Sequence, residues 1–440
     1  MPRSTRARKR AAASHSRRSL TRPTVRGFGF LIIGATAAIL AYLVGRSELL
    51  YVAGFLILLP LVGFLIVRLR PLRFSVVRTF SPAVVTAGTP TVIELSVRNE
   101  SGFTSSPAQW SDGIPWFPHQ AGPGTLPVLP PDGTTGGTRE NRLGYSLRPS
   151  LRGVYDIGPL TVSYTDPFGL ALGRLAVGSS QSLYVIPVVA NLGESVSLAV
   201  SGEGSARLVQ QLAKGNEDDL MTREYRTGDA LRRVHWRASA RHGDLMVRQE
   251  EQRSFPEARI ILDTRTDGYG GGISAFEFHD TGFTWFEWAV TMVASIGVHL
   301  HRSGFLVQVL ETGQKQIAPL GDANQGSGQD VEFLLSLAGL RLTDPGPFIG
   351  PGNDDRSQTA LGPVFAVLAD PSAETLRWIM AQRRPYETGV AFVVESGNPG
   401  IREALTESGW ICVPVTDTTD PSRAWLSVLG ITAQTPMERR

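Results

Sequence analysis

One cysteine, Cys412, occurs in 440 residues, so no intramolecular disulfide framework and no cysteine-built zinc or iron–sulfur cage can form within one chain. A reduced compartment fits that scarcity. Lysine is nearly absent as well: Lys9, Lys214 and Lys315 stand against 40 arginines, a bias in keeping with a GC-rich genome and without functional weight. Residues 268–272 are glycine-rich but lack the Gly-Lys-Ser or Gly-Lys-Thr of a phosphate cradle, so no ATP site is expected. No Ser-His-Asp or Cys-His arrangement with recognisable local context is present, and no catalytic residue or cofactor is assigned. His299 and His301, two apart on a predicted helix, face different directions and make no metal-ligand pair.

What is present describes a folded chain: 42% hydrophobic and 19% charged residues, with length for two or three domains. The net charge of +3 is unevenly placed. Residues 1–26 hold nine basic residues (Arg3, Arg6, Arg8, Lys9, Arg10, Arg17, Arg18, Arg22 and Arg26) and no acidic one, leaving 34 basic against 40 acidic residues beyond Arg26. The basic character thus belongs to a tail, expected to be disordered, and no nucleic-acid partner is implied.

Two uncharged apolar stretches follow, 27–45 and 49–67, separated by Arg46-Ser47-Glu48. Each is just long enough for a hydrocarbon core of roughly 30 Å, and together they read as a tight helical hairpin with Pro60 inside the second span. A signal peptide is the alternative for the first stretch, but no convincing small-residue cleavage site precedes the second. Arginines flank both outer ends, the tail before and Arg68, Arg70, Arg73 and Arg78 after. The positive-inside rule then places both termini and the folded domains in the cytoplasm, beside anionic lipid headgroups of the cell membrane.

Residues 72–191 carry short period-two runs, as in Ile93-Glu94-Leu95-Ser96-Val97-Arg98 and Leu160-Thr161-Val162-Ser163-Tyr164-Thr165, bounded by turn signals. A β-sandwich is the natural reading, with a Pro- and Gly-rich irregular excursion over 102–137. Across 258–432 the pattern changes to apolar runs at 258–263, 305–310, 364–369, 390–395 and 410–415, alternating with helical stretches. Such alternation indicates an α/β domain with a doubly wound parallel sheet, whose site lies at the carboxyl ends of the strands, where Asp263 and Asp370 fall.

Between these halves, in the segment 192–257, lies an arginine-rich stretch over 223–247. Gly228-Asp229 reads as a turn and N-cap for a helix starting near Ala230. On that helix Leu231, Val234, His235 and Ala238 form one apolar face, while Arg233, Arg237 and Arg241 sit four apart on another. Arginine outnumbers Glu224, Asp229 and Asp244 here. Two readings stay open: a surface for an anion or acidic partner, and an arginine network paired inside the protein. His235 beside the apolar face is either a hydrogen-bonded core histidine or the base of an enzyme of unknown reaction.

This stretch resembles the defining motif of domain-of-unknown-function family fifty-eight, bacterial proteins often encoded beside MoxR-type AAA+ ATPases. The residues that carry the likeness are Arg223, Tyr225, Gly228-Asp229, Arg233, His235-Trp236, Ser239-Ala240-Arg241, Leu245 and Val247, with Arg152-Gly153-Val154-Tyr155, Gly158-Pro159 and Asp166-Pro167-Phe168-Gly169-Leu170 upstream. The resemblance implies a membrane-anchored partner of such an ATPase, or of other membrane or envelope proteins, with a C-terminal half similar to a von Willebrand factor A domain. A metal-dependent adhesion site would need Asp-x-Ser-x-Ser after the first strand, because carboxylate and hydroxyl oxygens suit Mg²⁺. This sequence offers Asp263-Thr264-Arg265-Thr266-Asp267, a guanidinium where an oxygen belongs, so no metal is expected. Asp370 could supply a later carboxylate, and strand-end capping is the alternative role for both aspartates. A scaffold that binds protein is therefore expected, with a metal-dependent adhesion module as an alternative beside the enzyme.

Overall fold

The computed structural model describes residues 17–69, 72–114, 124–131, 140–193, 196, 222–225, 234, 236–248, 256–269, 281–320, 328–344, 361–384, 386–395 and 398–434. The chain divides into two compact units, Met1–Ile186 and Pro187–Arg440.

The first unit opens with strand β1 (Arg17–Pro23), then helices α1 (Val25–Val44) and α2 (Ser47–Leu69). Both helices are long and apolar enough to cross a membrane, and the expected stretches fall within them except for Gly45, which caps α1. Thr24 caps α1, its Oγ1 accepting from Gly27 N at 3.1 Å, and Gly45 ends it at φ 68°. Gly27, Gly34 and Ala41 recur every seven residues on the buried side of α1. A Cβ on Gly34 would lie 2.7 Å from the Ile57 side chain, so glycine is what lets the two helices close into a hairpin.

Ten strands follow: β2 (Phe74–Ser81), β3 (Val84–Thr86), β4 (Thr91–Asn99), β5 (Ala108–Asp112), β6 (Gly124–Leu126), β7 (Glu140–Leu147), β8 (Gly153–Ile157), β9 (Leu160–Thr165), β10 (Ala171–Val177) and β11 (Gln181–Ile186). The half expected as a β-sandwich is β-rich, its strands falling into three sheets, β1-β10-β9-β5-β6, β2-β4-β7 and β3-β11-β8. Alternation does the work: Ile93, Leu95 and Val97 on β4 and Leu160 and Val162 on β9 are fully buried while their neighbours face outward. Each such side chain contributes roughly 1.5–3 kcal/mol of apolar burial. One core collects residues from all three sheets, and Val67 of α2 joins it.

Three expectations are corrected here. Residues 17–23 are no disordered tail, because β1 pairs antiparallel with β10, Thr21 opposite Gly173 and Pro23 opposite Ala171. The pairing uses backbone groups, which satisfy the open edge of β10 whatever the side-chain charge. The 102–137 excursion contains β5 and β6, since β5 finds β9 as a partner far along the chain. Arg78, counted among the charges after the hairpin, lies on β2 with its side chain 2% exposed, Nη2 2.6 Å from Asp112 Oδ1. Its charge is spent inside the unit.

The second unit holds β12 (Thr222–Glu224), α3 (Trp236–His242), β13 (Met246–Arg248), β14 (Glu257–Leu262), α4 (Thr281–Arg302), β15 (Leu306–Glu311), α5 (Gly328–Gly339), β16 (Leu361–Leu368), α6 (Ala373–Gln382), β17 (Thr388–Val394), α7 (Pro399–Glu407), β18 (Trp410–Val415) and α8 (Pro421–Gln434). Strands β15-β14-β16-β17-β18 form one parallel sheet in that order. Ile379 of α6 and Ile401 and Leu405 of α7 cluster with Val364, Ala366, Ala391 and Val393. Phe365, adjacent to Val364 and so on the other face, packs its ring on Trp425 of α8 at 5.3 Å between centroids. The sheet is covered by helices on two sides, which is why its strands read as continuous apolar runs. The chain leaves β14 for β15 on one side and returns to β16 on the other, so the strand order reverses beside the carboxyl end of β14.

Candidate functional site

The reversal point carries the aspartate-led loop 263–267. Asp263 is 1% exposed, its Oδ1 accepting from Thr312 Oγ1 at 2.5 Å and from the Arg265 amide at 3.3 Å. Oδ2 is buried and has no hydrogen-bond partner among the described residues. It lies against Gly268, where a Cβ would come within 2.1 Å of it, so only glycine allows this approach. Desolvation is the largest influence and lifts the carboxyl to about 6; the Thr312 and Arg265 bonds oppose it, and neighbouring Asp267 adds to it.

Threonines fasten the loop to its surroundings. Thr264 N donates to Thr312 Oγ1 at 3.1 Å, Gly313 N to Thr264 Oγ1 at 3.0 Å, and Thr343 N to Thr264 O at 2.8 Å. Tyr269 OH donates to Asp263 O at 2.9 Å, and Asp370 N to Gly268 O at 2.8 Å. Asp370 thus reaches the loop through its backbone, while its side chain is exposed.

Arg265 does not turn to Asp263. Its Nε and Nη2 donate to Asp267 Oδ1 and Oδ2 at 3.1 and 3.0 Å, a bidentate pair. A hard cation would need oxygens converging where this guanidinium and its carboxylate already engage each other. The donor set therefore does not fit a metal, and no cluster of three His, Cys, Asp or Glu occurs among the described residues. Calorimetric titration with Mg²⁺ is expected to show no saturable site; a micromolar one lost in Asp263→Ala would reverse this assignment.

The shifted carboxyl has its own consequence. Folding raises Asp263 from 3.8 to about 6, so between those values the native state holds a proton that the unfolded chain has released. Stability should fall as pH rises through that window and stay lower above it. Asp263→Asn should abolish the fall and raise stability at pH 7 by roughly 1–3 kcal/mol. Melting curves across the window test it; an unchanged pH slope in the variant would refute it.

The arginine-rich stretch is only partly as expected. Gly228, Asp229, Leu231, Arg233 and His235 lie outside the described residues, as does the expected Asp229 cap. Arg223 on β12 pairs with Val247 on β13, and Tyr225 N donates to Leu245 O at 2.8 Å. Val234 forms an antiparallel bridge with Val247, so it is extended and not on a helix. The helix is α3, from Trp236 to His242, ended by Gly243 at φ 82°. β-branched Val234 gains more from extended pairing beside buried Val247 than a marginal helical turn would return. Ser239 Oγ accepts from Met246 N at 2.9 Å, tying α3 to β13. Trp236 is 69% exposed, and Arg237 and Arg241 are exposed with it.

His301 Nδ1 lies 2.7 Å from Asp330 Oδ1, whereas His299 packs edge-on against Trp425, so the two histidines indeed part company. Sequence reasoning missed Thr312 and Thr343; the one local signal for Thr312 was its place at the end of an apolar strand, followed by Gly313.

Upstream, Arg152-Gly153 and Gly158-Pro159 serve the β-rich unit. Tyr155 OH donates to Leu151 O at 3.0 Å over Gly153, and Gly158, at φ 106°, abuts the Arg78 guanidinium, 2.6 Å from where its Cβ would stand.

Residues 221–324 match the family model described as "Protein of unknown function DUF58", a span holding both α3 and the 263–267 loop with its Thr312 partner. No curated protein matches the chain. Among solved structures, the CARDB domain of a Pyrococcus furiosus protein in complex with di-metal ions is 18% identical over 24% of this chain and 94% of that one, with a TM-score of 0.17. A GH26-CBM35 β-(1,4)-mannanase of Podospora anserina is 12% identical over 82% of this chain and 88% of its own, at a TM-score of 0.16. A cycloisomaltooligosaccharide glucanotransferase of Paenibacillus sp. is 11% identical over 77% and 52%, at 0.17. Scores this low fix neither fold nor function. Residues 221–324 are thus a segment of the DUF58 family of proteins of unknown function.

Proposed function

We propose that the chain is a membrane-anchored cytoplasmic scaffold whose second unit binds protein, with a MoxR-type AAA+ ATPase as the partner that the family likeness suggests. The observation that carries the binding role is α3, which shows Trp236, Arg237 and Arg241 to solvent on seven residues of the family segment. Tryptophan and arginine are the side chains that dominate binding hot spots, and here they stand together on one exposed helix. Exposure favours the partner-facing reading of these two arginines over internal pairing.

Anchoring is supported by the outward faces of α1 and α2. Phe28, Ile33, Leu43, Phe55 and Leu58 are all more than half exposed, an apolar surface that water would penalise and acyl chains would not. The arginines before α1 and after α2 favour a cytoplasmic placement of both ends. For the second unit we adopt the doubly wound, von Willebrand A-like reading: a parallel sheet with its first strand inside, helices on two sides and an aspartate at the reversal point support it. In this role the loop at Asp263 is architectural, and the protein performs no chemistry of its own.

The test is binding of the purified ATPase to full-length protein in detergent, beside reporter fusions at both termini. Trp236→Ala and Arg241→Glu should each weaken binding at least about tenfold, or about 1.4 kcal/mol, at unchanged melting temperature. Unaltered affinity in both, or an extracytoplasmic signal at either terminus, would overturn the proposal.

A further inference from the structure

The turn at 166–170 is built into the open end of the α1–α2 hairpin. Thr24 N donates to Leu170 O at 2.9 Å, and Thr24 Oγ1 to Gly169 O at 2.7 Å. On α1, a Cβ at Gly27 would stand 2.1 Å from Leu170 O; on α2, one at Gly63 would stand 2.9 Å from Asp166 Oδ2. Asp166, itself buried, holds the turn by accepting from Phe168 N at 3.0 Å and Ala171 N at 2.6 Å. Glycine on each helix therefore admits the turn, and the carboxylate fixes its shape.

The tip of this turn faces away from the unit. Phe168 is 55% exposed and Pro167 is exposed beside it. Gly27 is the first residue of the apolar stretch of α1, directly after Arg26, and Gly63 lies five residues before Arg68 on α2. The turn thus meets α1 where hydrocarbon-compatible sequence gives way to arginine, and α2 about one helical turn before it does. Arg22, Arg26 and Arg68 are all exposed around that level. An exposed aromatic tip on a turn joined to helix ends that carry arginines suits the boundary between acyl chains and anionic phosphates.

We infer that the 166–170 turn is a second membrane contact, in which Phe168 enters the acyl–headgroup boundary while Arg22, Arg26 and Arg68 bind anionic phospholipid phosphates. The occupant is the same bilayer that the hairpin crosses, so the inference rests on the two-span reading. Its effect would be to hold the β-rich unit in one orientation against the membrane, as two helices on a flexible link would not.

Spin labelling of the full-length protein tests both readings separately. With Cys412→Ser removing the one native thiol, labels are placed by Phe168→Cys, by Ile33→Cys on α1, and by Val92→Cys, an exposed site opposite Ser81 at the end of β2 remote from α2. In phosphatidylcholine–phosphatidylglycerol vesicles, relaxation by oxygen reports lipid and relaxation by a nickel chelate reports water. Positions 33 and 168 should favour oxygen and position 92 nickel, with the oxygen-to-nickel ratio at 168 several-fold above that at 92. A water-like 168 beside a lipid-like 33 overturns the wedge alone. A water-like 33 overturns the two-span reading and the wedge with it. Protection of 168 from both reagents shows a covering protein and also overturns it. Should the labelled protein fail to fold, Phe168→Trp replaces it: its added fluorescence over wild type must be quenched by lipids brominated near the headgroup, and unquenched emission refutes the wedge.

Discussion

Asp112→Ala is expected to lower the unfolding free energy of the β-rich unit by roughly 3–5 kcal/mol, the cost of leaving a buried charge without its partner. Asp112 and Arg78 have side chains 0% and 2% exposed, and Arg78 Nε and Nη2 reach the two carboxylate oxygens at 3.0 and 2.6 Å. Tyr145 OH donates to Asp112 Oδ2 at 2.7 Å, and burial, reinforced by that carboxylate, pushes the phenol well above its ordinary range. Removing the carboxylate therefore leaves the buried guanidinium without its counter-charge, keeping the Nη1 bond to Ser179 O at 3.2 Å, and takes away the acceptor of the Tyr145 hydroxyl. The double change Arg78→Met with Asp112→Leu should recover most of the loss, because a buried pair costs desolvation that apolar side chains avoid. Thermal unfolding in detergent, followed by a probe in the first unit, measures both. A loss below about 1 kcal/mol for Asp112→Ala would mean that water reaches Arg78, contradicting its burial.

Trp425→Ala should destabilise the second unit by roughly 3–5 kcal/mol, while Trp236→Ala should stay within about 0.5 kcal/mol of wild type. Trp425 is fully buried on α8, with its ring against Phe365 and His299 and its indole N–H donating to Gly193 O at 3.0 Å. Its removal opens a cavity and strands that carbonyl. Trp236, 69% exposed, leaves no cavity behind. In the sequence Trp236 sits inside a dense motif and Trp425 in a C-terminal stretch without one, yet it is Trp425 that is buried. Parallel melts of the two variants decide it, and equal losses would refute the assignment.

Patterns that depend on neighbours along the chain were legible. The period-two runs of β4 and β9, the apolar runs of β14 to β18 and the two uncharged stretches each state their own element, strand or helix, because each element has its own spacing and length. The family segment and the guanidinium in the Asp263 loop were legible for the same reason. What the tertiary structure alone decided are the meetings across distance. Thr312 finds Asp263 from 49 residues away, Asp112 finds Arg78 from 34, and Thr24 finds Gly169 from 145. No periodicity announces such partners. Residues 17–23 of the basic tail became a strand, a flanking arginine became a core ion pair, and the motif tryptophan Trp236 stands at the surface, because burial and pairing belong to the space a residue occupies and not to its chemical type.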